Sequence, residues 1–343
     1  MVVLFESVVK GYAANALGQE LEQFSYDPPE LNDHDVRVSV THCGLCFSDI
    51  HAIDDYYGIT TFPFVPGHEI VGHVSEVGTG VSDLRKGDRV GIGWQGRSCA
   101  KCEWCSKEEP HLCADIAEMG VWTPYGGFSS STTADRRFVY PLPSSMPSEM
   151  AAVLLCAGIA VYSPLRSRAS GHRQKIGIVG VGGLGHLAIQ FAHALDYDVT
   201  ALSSSPDKEE EALALGADHF RVARDKESLK PMKFTFDWLL YTGHGKSDFT
   251  WLLRTLKKNG VMVMVGFPPQ PFAFEPVDLV VYQLAVTGSF LGNPKDMREM
   301  LTFAQERGIK PRTELMPMSR VNDAIRRVKE GRARYRIVLV NEP

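Results

Sequence analysis

The sequence lacks the features that would tie it to a membrane or to nucleic acid. No apolar stretch reads as long enough to span a bilayer. The opening residues 1–6 show no basic segment followed by an apolar core, so no leader is expected. Long basic runs are missing too, and a formal net charge of −5 offers nothing to a phosphate backbone. There is no internal repeat and no low-complexity segment. These absences point to a cytoplasmic protein that binds neither nucleic acid nor membrane. What is present is ordinary for a globular chain, with 44% hydrophobic and 22% charged residues. At 343 residues, two domains are the natural expectation.

Cysteine is scarce but clustered. Of seven, an odd number, four are Cys99, Cys102, Cys105 and Cys113. In a reducing compartment that spacing argues for metal rather than disulfides. Four thiolates can surround one zinc tetrahedrally, and such a closed set leaves no place for substrate. A zinc-ribbon reader of nucleic acid would need basic and aromatic residues interleaved. This loop instead sets Glu103, Glu108 and Glu109 against Lys101 and Lys107.

The other three cysteines are Cys43, Cys46 and Cys156. The first two open a chemistry-rich stretch, His42-Cys43-Gly44-Leu45-Cys46-Phe47-Ser48-Asp49-Ile50-His51, followed after an aromatic-rich loop by Pro66-Gly67-His68-Glu69. Sulfur and imidazole nitrogen are donors that zinc selects. A hydroxyl two residues from a metal thiolate could pass a proton to something bound on the metal. Buried free cysteine is also a common core residue, and this stretch alone allows both readings.

The first 150 residues read as short strands (36–40, 70–77, 87–92) separated by glycine and proline, the pattern of a small barrel or sandwich. Beyond them strands alternate with helices. Strands are expected at 175–179, 198–202, 236–240, 261–267 and 285–291, with helices at 183–195, 206–215 and 248–258. A helix at 321–329 and a strand at 335–340 close the chain.

Gly180, Gly182, Gly183, Leu184 and Gly185 lie in a G-x-G-x-x-G turn between the strand at 175–179 and the next helix. In that setting the motif is a dinucleotide fingerprint, although a plain tight turn would also use glycine. NAD-selective folds usually place a carboxylate about 20 residues past the glycines. Here Ser203, Ser204 and Ser205 follow the strand, with Lys208 nearby. Hydroxyls and an ammonium can hold a 2′-phosphate that a carboxylate would repel, which points to NADP(H). Ser205 before Pro206 also reads as a helix cap, and Lys208 as a solvated first-turn residue.

Taken together, Cys46, His68-Glu69, the four-cysteine loop, Cys156 and the glycine turn resemble, over essentially the whole length, the zinc-dependent medium-chain alcohol dehydrogenases. The resemblance is closest to the cinnamyl-alcohol-dehydrogenase-like branch, and within it to bacterial broad-range NADPH-dependent aldehyde reductases. Gly91-Ile92-Gly93-Trp94, Leu154-Leu155-Cys156-Ala157-Gly158, the triple serine and residues 333–339 carry it.

The resemblance implies an α/β architecture: a GroES-like β-barrel catalytic domain over 1–153, completed by 292–343, with a Rossmann NADP-binding domain inserted at 154–291. It implies Cys46, His68 and Cys156 as ligands of a catalytic zinc, a set taken from the family rather than from spacing. Cys43 is not implied as a ligand. With the structural zinc at Cys99, Cys102, Cys105 and Cys113 there would be two ions per chain. Glu69 would lie close behind the metal, Asp49 would orient His68, and Arg336 would pair with these carboxylates. Ser48 would pass the proton and His51 would complete the relay. Tyr57, Trp94, Trp122 and Phe290 would line the pocket, although each could be plain core.

The implied partners are a small aldehyde or alcohol and, through the last strand of the nucleotide domain, a second copy of the chain. Two departures stand out. Phe47 replaces the His or Arg that often reaches the cofactor pyrophosphate, and Ala160 replaces a usual threonine near the nicotinamide. The activity implied is reduction of aldehydes to primary alcohols with NADPH. Its rivals are NAD-linked alcohol oxidation, a zinc-free quinone reductase, against which the intact ligand set argues, and a non-catalytic nucleotide-binding protein.

Overall fold

Strand Asp35–Leu45 organises the first half of the fold, because its valines alternate with polar residues and both of its edges are used. Here the computed structural model describes residues 8–115, 125–169 and 173–341. One edge of Asp35–Leu45 pairs antiparallel with Glu69–Val77. The other is shared: its first half pairs with Ser131–Asp135 and its last residues with Arg336–Val340. The full order is Thr313–Pro317, Arg336–Val340, Asp35–Leu45, Glu69–Val77, Arg89–Ile92, Val139–Pro141. The ladder sets Gly44 opposite Glu69 and Leu45 opposite Ile337, so residues from three distant parts of the chain meet at one end of the sheet.

The second half is a six-stranded parallel sheet ordered His219–Val222, Asp198–Ser203, Lys175–Val179, Phe236–Tyr241, Leu256–Met264, Ala285–Gly288. Numbered by position in the chain, that is the 3-2-1-4-5-6 order of the Rossmann fold, and it places the first glycine turn at the carboxyl ends of the strands. Leu202, Leu239, Phe236 and Met262 are fully buried in its core. The helix expected over 248–258 is only Phe249–Arg254, and the strand after it starts early, at Leu256. Asn259 adopts φ 63° and Gly260 follows, a pair that favours a left-handed turn over continued helix.

The chain divides into two compact units: Met1–Cys156 with Gly292–Leu301 and Pro311–Pro343, and Ala157–Leu291 with Thr302–Lys310. The first boundary falls inside a helix running Ser148–Arg168, which the sequence pattern did not reveal. Contrary to expectation, this helix is by length and composition apolar enough to cross a bilayer. However, 78% of its most apolar window is buried within the fold, as in a core helix. Its middle, Leu154–Gly158, is a π-helical turn.

Candidate active site

Cys46 directly follows the central strand and is the N-cap of helix Phe47–Ile53. Asp49, on the first turn, is buried and uses both oxygens. Oδ2 accepts from Cys46 N at 2.8 Å, and Oδ1 accepts from Gly67 N at 3.0 Å and lies 2.7 Å from His68 Nδ1. Gly67 has φ +107°, and a β-carbon there would strike Phe128 and the Cys43 sulfur, so only glycine turns this corner. With Nδ1 held by Asp49, His68 presents Nε2 to the Cys156 sulfur 3.3 Å away. Cys156 comes from the π-helical turn, a distortion often found at functional sites.

Ligand atoms of Cys46, His68, Glu69 and Cys156 lie within 4.8 Å of one another, all buried. The hydrogen bond from Cys156 holds the Cys46 thiol well below its usual value, while the same bond and burial push Cys156 up. Burial pushes the Glu69 carboxyl up to about 8, against the pull of Arg336. Arg336 Nη2 stands 3.4 Å from Glu69, and its Nη1 donates to Leu45 O at 3.2 Å. The carboxylate oxygens of Glu69 accept no hydrogen bond among the described residues. A β-carbon on Gly44, across the ladder, would collide with Glu69, so the carboxylate is seated in space that glycine provides. Two sulfurs, an imidazole nitrogen and a hydrogen-bond-starved carboxylate, all buried, form a donor set suited to a borderline-soft cation. Cys43 lies outside this set, and burial raises its thiol well above the usual range.

Ser48 and His51 sit three residues apart on the helix that Cys46 caps. The Tyr57 hydroxyl lies 3.3 Å from His51 Nδ1, with the Ser48 side chain near enough to lower its pKa. Burial raises the Tyr57 hydroxyl to about 12 despite the opposing effect of Ser48. The His51 ring stacks on Tyr56 at 4.5 Å and meets the edge of Phe47 at 4.9 Å.

The four-cysteine loop forms a second cluster. Cys113 Sγ lies 3.5 Å from Cys99 and 3.9 Å from Cys102, and Cys99 lies 3.9 Å from Cys105. A tetrahedral zinc with sulfur at about 2.3 Å sets its ligands roughly 3.8 Å apart, so these spacings fit it and are far too long for a disulfide. Backbone N–H groups of Cys105 and Ala114 lower the Cys102 thiol to about 6, which favours the thiolate a metal needs.

In the second unit, Gly180 turns with φ +100°, and Thr242 Oγ1 donates to its carbonyl at 2.8 Å. A β-carbon on Gly185 would collide with that carbonyl, whereas one on Gly182 would meet nothing within 4 Å. The glycines therefore do two jobs: Gly185 permits close packing of helix on strand, and Gly182 leaves open space where a pyrophosphate can approach the backbone. Gly183 and Leu184 lead into helix Gly185–Ala194. Ser203 ends its strand buried, and its hydroxyl accepts from Ser205 N at 3.2 Å.

Residues 32–144 match the alcohol dehydrogenase GroES-like domain, and residues 183–306 match the zinc-binding dehydrogenase family. Vomilenine reductase of Rauvolfia serpentina is 39% identical over 96% of this chain and 94% of its own length. A cinnamyl alcohol dehydrogenase structure from Sorghum bicolor superposes with a TM-score of 0.91 at 37% identity, covering 97% of this chain and 98% of that one. The chain belongs to the zinc-dependent medium-chain alcohol dehydrogenases, in their cinnamyl-alcohol-dehydrogenase-like branch. A cinnamyl alcohol dehydrogenase of Helicobacter pylori, solved with NADP(H), matches with a TM-score of 0.88 at 29% identity over 97% of this chain and 98% of that one. The fold is thus the family's GroES-like domain with a Rossmann domain.

Two contributors to these alcohol dehydrogenase sites, Gly44 and Thr242, were not legible in the sequence. Gly44 was passed over because its role depends on the strand opposite. Thr242 lies 57 positions beyond the last glycine of the turn it supports. Tyr57, expected to line the pocket, also holds its hydroxyl 3.3 Å from His51 Nδ1. Phe47, flagged as unable to bind pyrophosphate, packs against His51. Of the other expected pocket residues, Trp94 is buried in the first unit, Phe290 is 40% exposed in the second, and Trp122 lies outside the described residues. Lys208 Nζ is 3.6 Å from Glu211, so its charge is shared within its own helix. Ala160 is buried, with no hydroxyl to offer.

Proposed function

We propose that this alcohol dehydrogenase reduces aldehydes to primary alcohols with NADPH, reversibly, using one zinc at Cys46, His68 and Cys156 and a second at the four-cysteine loop. The observation that carries the reading is the buried donor set, with Ser48 on the helix that Cys46 caps and the Tyr57 hydroxyl 3.3 Å from His51 Nδ1. When bound, zinc and NADPH supply Lewis-acid polarisation of the carbonyl and a hydride to its carbon.

The chain's own residues do the rest. Reduction of R–CHO to R–CH2OH takes one hydride and one proton. Ser48 Oγ donates that proton to the substrate oxygen, Tyr57 re-supplies Ser48, and His51 re-supplies Tyr57 from solvent. Asp49 keeps His68 in the tautomer whose Nε2 can ligate. Arg336 offsets the negative charge of Glu69 and the thiolates. Ser203 in place of a carboxylate supports NADPH over NADH, as does the NADP(H) complex of the Helicobacter pylori relative. Tyr57 and Trp94, both in the first unit, remain proposed lining for an apolar aldehyde. Seven free thiols suit the reducing cytoplasm.

A homodimer is also proposed. Strand Ala285–Gly288 ends its sheet, and Val277, Val280 and Val281 on the preceding helix are exposed. Pairing of two such edges would bury both. Sedimentation at two concentrations checks this; a monomer throughout would refute it.

The test of the activity uses protein purified without chelators. It should carry two zinc ions per chain and show a higher kcat/KM with NADPH than with NADH across aromatic and straight-chain aldehydes. A preference for NADH would turn the reading to NAD-linked alcohol oxidation. No turnover with either cofactor would leave a nucleotide-binding protein without this catalysis.

A further inference from the structure

Serine hydroxyls alone carry no charge to match a 2′-phosphate, and the cation expected to do so, Lys208, is paired with Glu211. A second cation stands at the same loop. Strands Asp198–Ser203 and His219–Val222 run parallel with Ser203 beside Val222, and both end at the carboxyl edge where such sheets bind nucleotides. Ala223 N donates to Ser203 O at 2.9 Å, which ties the next residue, Arg224, to the serine loop. Arg224 Nε donates to Ser204 O, so the guanidinium lies along the loop itself. Its terminal nitrogens make no hydrogen bond or ion pair among the described residues. The neighbouring carboxylate, Asp225, is occupied as a helix cap, accepting from Ser228 N at 3.0 Å.

We infer that Arg224 is the residue that recognises the 2′-phosphate, with its terminal nitrogens on the phosphate oxygens and its Nε anchored on Ser204. The inference rests on the NADPH reading above and deepens it. A guanidinium presents a planar fork of donors to phosphate, and one nitrogen already fixed lowers the ordering cost of the rest. Ser203, whose oxygen accepts from Ser205 N, keeps its O–H free to donate to the same group. Lys208 adds less because Glu211 shares its charge.

The test is calorimetric binding to the zinc-loaded protein without nicotinamide cofactor, using adenosine 2′,5′-bisphosphate and ADP as probes. Native protein should prefer the 2′-phosphorylated probe. Arg224→Gln should weaken that probe by about tenfold and leave ADP unchanged. Arg224→Lys should recover part of the loss, and Lys208→Gln should cost less than Arg224→Gln. In steady state, Arg224→Gln should raise KM for NADPH more than for NADH. Equal weakening of both probes, or none, overturns the role of Arg224 while the native preference stands. No native preference between the probes overturns the NADPH reading and the inference with it. Unchanged ADP affinity separates loss of recognition from collapse of the loop.

Discussion

The two cysteine clusters of this chain are built on opposite plans. Cys99, Cys102, Cys105 and Cys113 come from one short loop, are partly exposed for the most part, and offer four identical donors. Cys46, His68 and Cys156 come from three distant segments, are buried, and mix sulfur with nitrogen. The loop cluster draws all four donors from residues 99–113. The buried cluster is enclosed by residues that hold it or serve it: Asp49 on His68, Arg336 and Gly44 around Glu69, and Ser48, Tyr57 and His51 leading away. A closed site of four sulfurs can stabilise a fold. A site with mixed donors, oriented from behind and joined to a hydroxyl chain, can also do chemistry.

The sharpest way to break that contrast is Cys46→Ser. Losing the metal's polarisation should cost several kcal/mol of transition-state stabilisation, about a thousandfold or more in single-turnover hydride transfer. Zinc should fall by one ion while the loop cluster stays loaded. Near-native turnover would sink the division into catalytic and structural sites.

Next in size is the hydroxyl chain. Ser48→Ala should slow turnover by about a hundredfold to ten-thousandfold, the usual contribution of general acid catalysis, with zinc content and NADPH binding intact. Tyr57→Phe should fall between Ser48→Ala and native, and His51→Gln should do least, because water can replace the outermost member. If Tyr57→Phe matches native while His51→Gln does not, the path from Ser48 to His51 does not run through Tyr57.

Asp49→Asn addresses the support rather than the ligands. Such outer partners typically are worth about tenfold to a hundredfold in metal affinity. Competition with a chelator should release the first zinc from this variant sooner and the loop zinc at the native rate. Equal release from both sites would show that Asp49 does not set the difference between them.

The smallest effect on the chemistry should come from Cys102→Ser. It should remove one zinc and destabilise the fold by more than about 3 kcal/mol, as losses of structural metal do. Single-turnover hydride transfer by the protein that remains folded should stay near native. A large fall in that rate would mean that the loop cluster serves the reaction directly.

How much was legible in the sequence follows the same contrast. The four-cysteine loop could be read as a metal site because all its donors are local, and local spacing is what a sequence displays. The glycine turn was legible for the same reason: strand, turn and helix are consecutive. Of the elements around it, strand His219–Val222 was not anticipated, the strand expected over 285–291 ended at Gly288 and the helix expected over 248–258 ended at Arg254. The buried set was legible only through family resemblance, because Cys46 and Cys156 stand 110 positions apart.

By itself the sequence determined the local donors, the dinucleotide turn and the alternation that makes a parallel sheet. Tertiary structure alone decided which distant groups meet. Pairing of the last strand with the central one brought Arg336 to Glu69, and the facing ladder gave Glu69 the space beside Gly44. A π-helical turn inside an apolar helix aimed Cys156, the loop after helix Phe47–Ile53 folded Tyr57 back between Ser48 and His51, and two parallel strand ends laid Arg224 along the serines. Each of these depends on register and packing between segments far apart in the chain. Periodicity and spacing report one segment at a time, so none of these meetings could be seen in them.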